Sequence, residues 1–108
     1  MKKTVLLFVI SLLFIGASPV KDCKCKNIPL YGRVRVVDIG EDFRVRVVDI
    51  GEDLQVQKVD IAPDQCGKWQ FVDIGEDFKI RFVDIGEDFK IRFVDACPGI
   101  PPGLYRYP

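Results

Sequence analysis

The stretch from Lys79 to Phe89 reads KIRFVDIGEDF, and the chain repeats this phrase along most of its length. Six copies of eleven residues lie end to end, and only Cys66 and Gly67 separate the third copy from the fourth. The copies are Arg33–Phe43, Arg44–Leu54, Gln55–Gln65, Lys68–Phe78, Lys79–Phe89 and Lys90–Ile100. Self-similarity at a fixed period is typical of repeat proteins, in which each copy supplies one structural unit.

Each copy predicts one short β-strand followed by a surface turn. From Phe43 to Ile50, apolar residues first alternate with arginines and then continue on both faces. Alternation with period two is a strand signal, and no apolar period of 3.6 residues indicates a helix. Gly51 and the two acids after it end the run, as expected of a turn in water. Because the later part of each strand is apolar on both faces, we expect it to be more buried than the beginning.

The repeat also favours a closed arrangement of its strands. Short strands at equal spacing form a meander, a barrel or a solenoid. An in-register parallel solenoid would stack Asp84 on its equivalents in the other copies about 4.8 Å apart, and like charges directly opposite one another are destabilising. Offset or antiparallel pairing, or a closed ring, avoids this stack, and closure also removes the edges that invite aggregation. We therefore predict an all-β fold, a small closed ring of short strands.

The third copy departs most from the phrase. Lys58 stands where the other copies have Val or Phe, Ala62-Pro63 replaces Gly-Glu, and Trp69 follows the inserted Cys66-Gly67. One interpretation is an interaction patch. In the other, Lys58 faces solvent at the seam or mouth of the ring and Trp69 is core packed against a disulfide, which burial statistics favour. The patch would comprise Lys58, Asp64, Gln65, Lys68, Trp69 and Gln70.

The beginning of the chain has the features of a secretory signal peptide. Lys2 and Lys3 precede an apolar run, and small residues follow it near Ala17. This run is shorter than the approximately 20 residues that span a bilayer, so we expect cleavage and no stable membrane insertion. The predicted organisation is a signal peptide (1–17), an N-terminal cysteine-bearing segment (18–32), a six-repeat β domain (33–100) and a Pro/Tyr-rich tail (101–108). We expect a secreted or periplasmic protein.

Four cysteines remain after such a cleavage, and an even number in a small exported chain predicts disulfides. Cys23 and Cys25 have one residue between them and do not pair easily with each other. Each is then joined to Cys66 or to Cys97, which leaves two connectivities open. A four-cysteine zinc site is the competing interpretation, and the spacing of Cys23 and Cys25 fits it less well.

The tandem Lys-Ile-Arg-Phe-Val-Asp copies, the central stretch from Cys66 to Gln70, Pro98-Gly99 and the N-terminal cysteine pair together resemble the bacterial 7(1) septoil knot domain family. The resemblance covers about Cys23 to Ile100, and the Pro/Tyr-rich tail lies outside it. It implies a small all-β ring in which the chain threads itself as a seven-crossing torus knot. It brings no established activity.

Composition narrows the possible functions. Sixteen acids balance sixteen bases, so nothing favours nucleic acid as a partner. The chain has no His, and its one Thr lies in the predicted signal peptide, so a catalytic triad is excluded and we expect no enzyme and no cofactor. A hydrolase using a carboxylate pair and a calcium-binding protein using the acidic turns are the alternatives. The leading prediction is a rigid structural or interaction module with an envelope or extracellular partner.

Overall fold

The computed structural model describes residues 18–101, and these residues form strands, bridges and turns without a helix. No segment of this part of the chain is a helix capable of crossing a bilayer. The predicted signal peptide and residues 102–108 of the tail lie outside the described residues. The strands are β1 (Lys24–Cys25), β2 (Ile28–Pro29), β3 (Gly32–Val36), β4 (Phe43–Val47), β5 (Leu54–Lys58), β6 (Lys68–Phe71), β7 (Phe78–Phe82) and β8 (Phe89–Phe93).

Six of these strands close into a barrel in the order β3-β6-β5-β8-β4-β7. Strands β1 and β2 form a separate antiparallel pair. The prediction of an all-β closed ring is confirmed. Every strand pair of the barrel is parallel, so the antiparallel option is wrong for the repeats.

The barrel is built from two interleaved circuits of the chain. Strands β3, β4 and β5 occupy alternate positions around the ring, and β6, β7 and β8 fill the positions between them. The second circuit falls into the gaps because β5 and β6, which flank Cys66-Gly67, are direct neighbours, whereas other consecutive strands lie two places apart. Each barrel strand therefore pairs only with strands from the other half of the sequence.

Neighbouring strands are offset by two residues relative to their repeats. Phe43 pairs with Ile80 on β7, although the residue of β7 that corresponds to Phe43 in the repeat is Phe78. The predicted offset is present, but it does not separate like charges, because Arg44 lies beside Arg81 and Arg46 beside Lys90. The expectation that an offset would keep like charges from lying directly opposite one another is thus wrong for the basic residues. The structure tolerates these neighbours because carboxylates from the turns lie among the basic side chains.

The first and third residues of the five-residue strands are buried inside the barrel, and in β6 the buried residue is Trp69. Phe43 is fully buried, and its ring meets the rings of Phe78 and Phe89 edge-on at 5.5 and 5.4 Å between centroids. Burying an apolar side chain of this size contributes about 1.5–3 kcal/mol. The fifth residue is the more exposed one, at 47% for Val47 and 42% for Phe82. The prediction that the later half of each strand is the more buried half is therefore wrong, because residue five already reaches the end of the barrel.

The N-terminal segment closes the barrel at the beginnings of the strands. Val20, Cys25 and Leu30 join the buried core. The Trp69 indole N–H donates a hydrogen bond of 3.0 Å to the carbonyl oxygen of Leu30, and the Gly67 N–H donates to the same oxygen. These contacts fix the segment to β6, next to the place where the repeat is interrupted.

One of the predicted disulfide pairings is present, between Cys23 and Cys66. The second bridge is not formed: within residues 18–101, Cys25 and Cys97 are both free thiols. Cys25 points into the core, where burial raises the pKa of its thiol, whereas Cys97 lies exposed in the turn after β8. The four-cysteine zinc interpretation is wrong, because two of its ligands are consumed in the disulfide.

Candidate functional site

The aspartates of the four Gly-Glu-Asp turns extend the barrel ladder into the turns. The Asp42 N–H donates to the carbonyl oxygen of Lys79, and the Asp42 carboxylate accepts the Lys79 N–H at 2.7 Å. The same double contact recurs in the other three turns. It pairs Asp53 with Lys90, Asp77 with Arg33 and Asp88 with Arg44. These carboxylates are therefore structural acceptors for strand beginnings.

The glutamate of each turn pairs with the fourth residue of the strand that the aspartate of the same turn contacts. The pairs are Arg35–Glu76, Arg46–Glu87, Arg81–Glu41 and Arg92–Glu52, with nitrogen–oxygen distances of 3.1–3.8 Å. The arginines are more than a third exposed, so each pair contributes only about 0.2–1 kcal/mol. Their interest lies in the pattern rather than in the energy.

In two barrel strands, glutamine takes the place that this arginine has in the repeat, namely Gln57 in β5 and Gln70 in β6. They are the two barrel strands that receive no such pair of aspartate and glutamate contacts from a Gly-Glu-Asp turn. The segment around Gly99 reaches β5 through hydrogen bonds with Gln55, and Leu30 reaches β6. Arginine is thus present where a glutamate faces it and absent where none does. This matching is the sequence signal that could have revealed the strand order.

The turn contacts lower the pKa of two glutamates. Glu41 accepts a hydrogen bond from its own backbone N–H, and Arg81 adds to the effect, so its pKa lies below the ordinary value. Burial raises the pKa of Glu52, but hydrogen bonds from Gln55, from its own backbone and from Arg92 outweigh that effect and lower it overall.

These shifts predict a loss of stability in acid. A carboxyl group whose pKa is lower in the folded state stabilises the fold above its unfolded pKa, which is about 4.3 for Glu. That stabilisation disappears as pH falls through the folded pKa. We expect the melting temperature to be flat from pH 7 to about 5 and to fall below about pH 4. The variant Glu41→Gln/Glu52→Gln should start lower and lose part of this dependence; an unchanged pH profile would argue against the assigned contacts.

The turns also expose a row of isoleucines, here called the isoleucine apices. Each follows an exposed aspartate and is 80–87% exposed. The apices are Ile39, Ile50, Ile61, Ile74 and Ile85. The repeat predicts that its apolar positions are buried, and for these isoleucines that prediction is wrong. Their position next to the turn glycine, beyond the strand, is the signal that could have placed them outside.

Within residues 18–101, the barrel is open at the ends of its strands. A cavity of about 430 Å³ lies there, which we call the open mouth. The last residues of five strands line it: Val36, Lys58, Phe71, Phe82 and Phe93. The Lys58 ammonium lies 4.9 Å from the centroid of the Phe93 ring. In the described part of the chain it forms no ion pair.

The structure brings Lys58 next to Trp69 on the neighbouring strand, but it buries one member of the predicted interaction patch. Lys58 lies at the open mouth, as the alternative interpretation held. Trp69 is fully buried against the rings of Phe71 and Phe78 and cannot belong to an exposed surface. Asp64 and Gln65 are exposed in the turn after β5, and Lys68 and Gln70 are half-buried on β6.

The acidic turns do not converge into a cage. Across residues 18–101 no three Cys, Asp or Glu side chains come together as metal ligands would. Most turn Asp and Glu carboxylates instead contact a strand, and the first acid of each turn, such as Asp84, is exposed. The calcium-binding and hydrolase alternatives stay predictions.

The family comparison agrees with this architecture. None of the curated proteins compared with the chain matches it. The family described as the 7(1) septoil knot domain matches residues 27–101. A chain that passes twice around a ring in interleaved circuits follows the kind of path that a torus knot with two windings requires. The match covers every strand of the barrel, and the chain belongs to the 7(1) septoil knot domain family.

Proposed function

We propose that this protein is a rigid, non-catalytic interaction module that works outside the cytoplasm and holds a partner protein through its isoleucine apices. The observation that supports this is the exposure of 80–87% at five equivalent isoleucines. Single exposed apolar residues are ordinary on protein surfaces, but a set repeated at one position suits a binding surface.

The charge around the apices favours a particular partner surface. Each apex follows an exposed aspartate, for example Asp38 before Ile39 and Asp84 before Ile85. A partner that covers the apices would thus place apolar side chains on the isoleucines and basic side chains beside the aspartates. Such charge complementarity mainly speeds association and selects the partner, whereas the buried isoleucines supply most of the affinity.

The proposed location rests on the disulfide and on the predicted signal peptide. Bonds such as Cys23–Cys66 form and persist in oxidising compartments and are rare in the cytosol. A closed parallel barrel, in which each strand is bonded on both sides, also leaves few segments that can open locally for a protease. This stability suits a module exposed to an envelope or extracellular environment.

The apices can be tested by substitution of four of them at once. The variant Ile39→Ser/Ile50→Ser/Ile74→Ser/Ile85→Ser is compared with wild type as bait for the envelope fraction of the source organism. We expect wild type to retain a defined protein and the serine variant to lose it by more than about tenfold, because each buried isoleucine contributes about 1.5–3 kcal/mol.

The matched control replaces the same four residues by leucine, which keeps the apolar surface. Both variants should melt close to wild type, since the side chains contact solvent. Retention of the partner by the leucine variant and its loss by the serine variant would support the proposal. Equal capture by wild type and the serine variant would refute it.

A further inference from the structure

The lining of the open mouth is apolar except for one charged residue. Val36, Phe71, Phe82 and Phe93 are apolar, and Lys58 alone is charged. The other end of the barrel is filled by the N-terminal segment, with Leu30 fully buried there. In the part of the chain that the structure describes, the open mouth is thus the end of the barrel that a ligand can reach. It lies at the carboxyl ends of parallel strands, where ligand sites are common in folds of parallel strands.

Lys58 is exposed at the rim of this lining, and its ammonium group lies beside an aromatic ring. It lies over the Phe93 ring, 4.9 Å from the centroid, and within residues 18–101 no carboxylate comes within ion-pair distance of it. Lys58 also lines an adjoining hollow together with Asp95, whose carboxylate is a competing charge. A lysine placed against aromatic walls favours an anion that can also bury apolar surface.

We propose that the open mouth binds a small apolar monocarboxylate, whose carboxylate pairs with Lys58 while its hydrocarbon body rests on Phe71, Phe82 and Phe93. One ammonium group matches one negative charge, and the aromatic and valine walls match a hydrocarbon or aromatic body. The mouth is a depression open to solvent on one side, and its volume of about 430 Å³ is enough for a small molecule, for which sites are roughly 300–1,000 Å³. The proposal is independent of the apices, which lie on the turns.

The test is an NMR titration of the mature, disulfide-bonded protein with three probes of equal chain length: octanoate, octan-1-ol and octylamine. Octanoate should shift the signals of Val36 and Phe82 saturably, and it should bind at least about tenfold more tightly than the other two, because only it pairs a negative charge with the Lys58 ammonium. The variant Lys58→Val restores the residue that this position has in the first two copies. It should lose that preference for octanoate while binding octan-1-ol at least as well as wild type.

The matched control is Lys79→Val, the same substitution on the outer face of β7, which should leave octanoate binding unchanged. Three results would overturn the proposal: no saturable shifts with octanoate, equal affinity for all three probes, or octanoate binding by Lys58→Val as tight as by wild type. Because the apex variants keep Lys58, their failure to capture a partner would leave the octanoate result unaffected.

Discussion

Replacement of Gly67 by alanine is expected to destabilise the fold by about 3 kcal/mol or more, one of the largest effects open to a single methyl group here. Gly67 has φ +83°, a conformation that costs an L-residue about 1–2 kcal/mol. A Cβ atom at this site would also overlap the carbonyl oxygen of Gln55 and lie 2.6 Å from the nitrogen of Gly99. Neither atom can retreat, because Gln55 and Gly99 are hydrogen-bonded to each other at 2.7 and 2.8 Å.

The measurement is thermal unfolding, in which 3 kcal/mol corresponds to a fall of roughly 12–24 °C for a domain of this size. Gly51→Ala is the matched control, since Gly51 has φ +82° and open space around the added methyl group. Its cost should be limited to the backbone term, about 1–2 kcal/mol. Equal losses in the two variants would show that the seam between β5 and β6 is not packed as described.

The repeat itself made the secondary structure and closure predictable. Alternation around Val45 marks a strand, the acids after Gly51 mark a turn, and near-identical copies favour a ring over an open stack. Local patterns of this kind report what one copy does. The buried positions of Phe43 and Val45 and the wet Gly-Glu-Asp turns accordingly follow from the sequence.

The strand order could not be derived from the same patterns. Phe78 and Phe89 are equivalent residues in nearly identical copies, so nothing local states which of them lies beside a given strand. The order is encoded in departures from the repeat. Gln57 and Gln70 replace arginine in the strands that lack a glutamate partner, and Cys66-Gly67 shifts the second circuit by one place. These few departures from the repeat can be interpreted only once the strand pairing is known.

The candidate surfaces were harder to predict than the fold. The repeat predicts that the apolar residues at and after the end of each strand are buried, whereas Ile85 lies on a turn and Phe82 at the open mouth. Hydrophobicity alone does not distinguish a residue that ends a strand from one that has left the barrel. Lys58 was recognised as exceptional, but its surroundings depend on Phe71 and Phe93, which arrive from other copies.

The central claim is that two circuits of the chain interleave, and engineered cysteine pairs test it directly. Arg44 and Arg81 are paired residues on β4 and β7, so their Cα atoms lie about 4.8 Å apart, within the range that a disulfide bridges. Arg44 and Gln55 are equivalent residues of consecutive copies, but β8 lies between their strands and separates them by about 9–10 Å. A sequentially stacked solenoid would make the second pair the neighbours.

Both pairs are combined with Cys25→Ala and Cys97→Ser. The only natural cysteines left are then Cys23 and Cys66, which are bonded to each other. Loss of the exposed ion pairs at Arg44 and Arg81 should cost little. After mild oxidation of the folded protein, mass spectrometry of unreduced digests should find nearly complete cross-linking in Arg44→Cys/Arg81→Cys and none in Arg44→Cys/Gln55→Cys. Cross-linking of residues 44 and 55, without cross-linking of residues 44 and 81, would contradict the interleaved barrel.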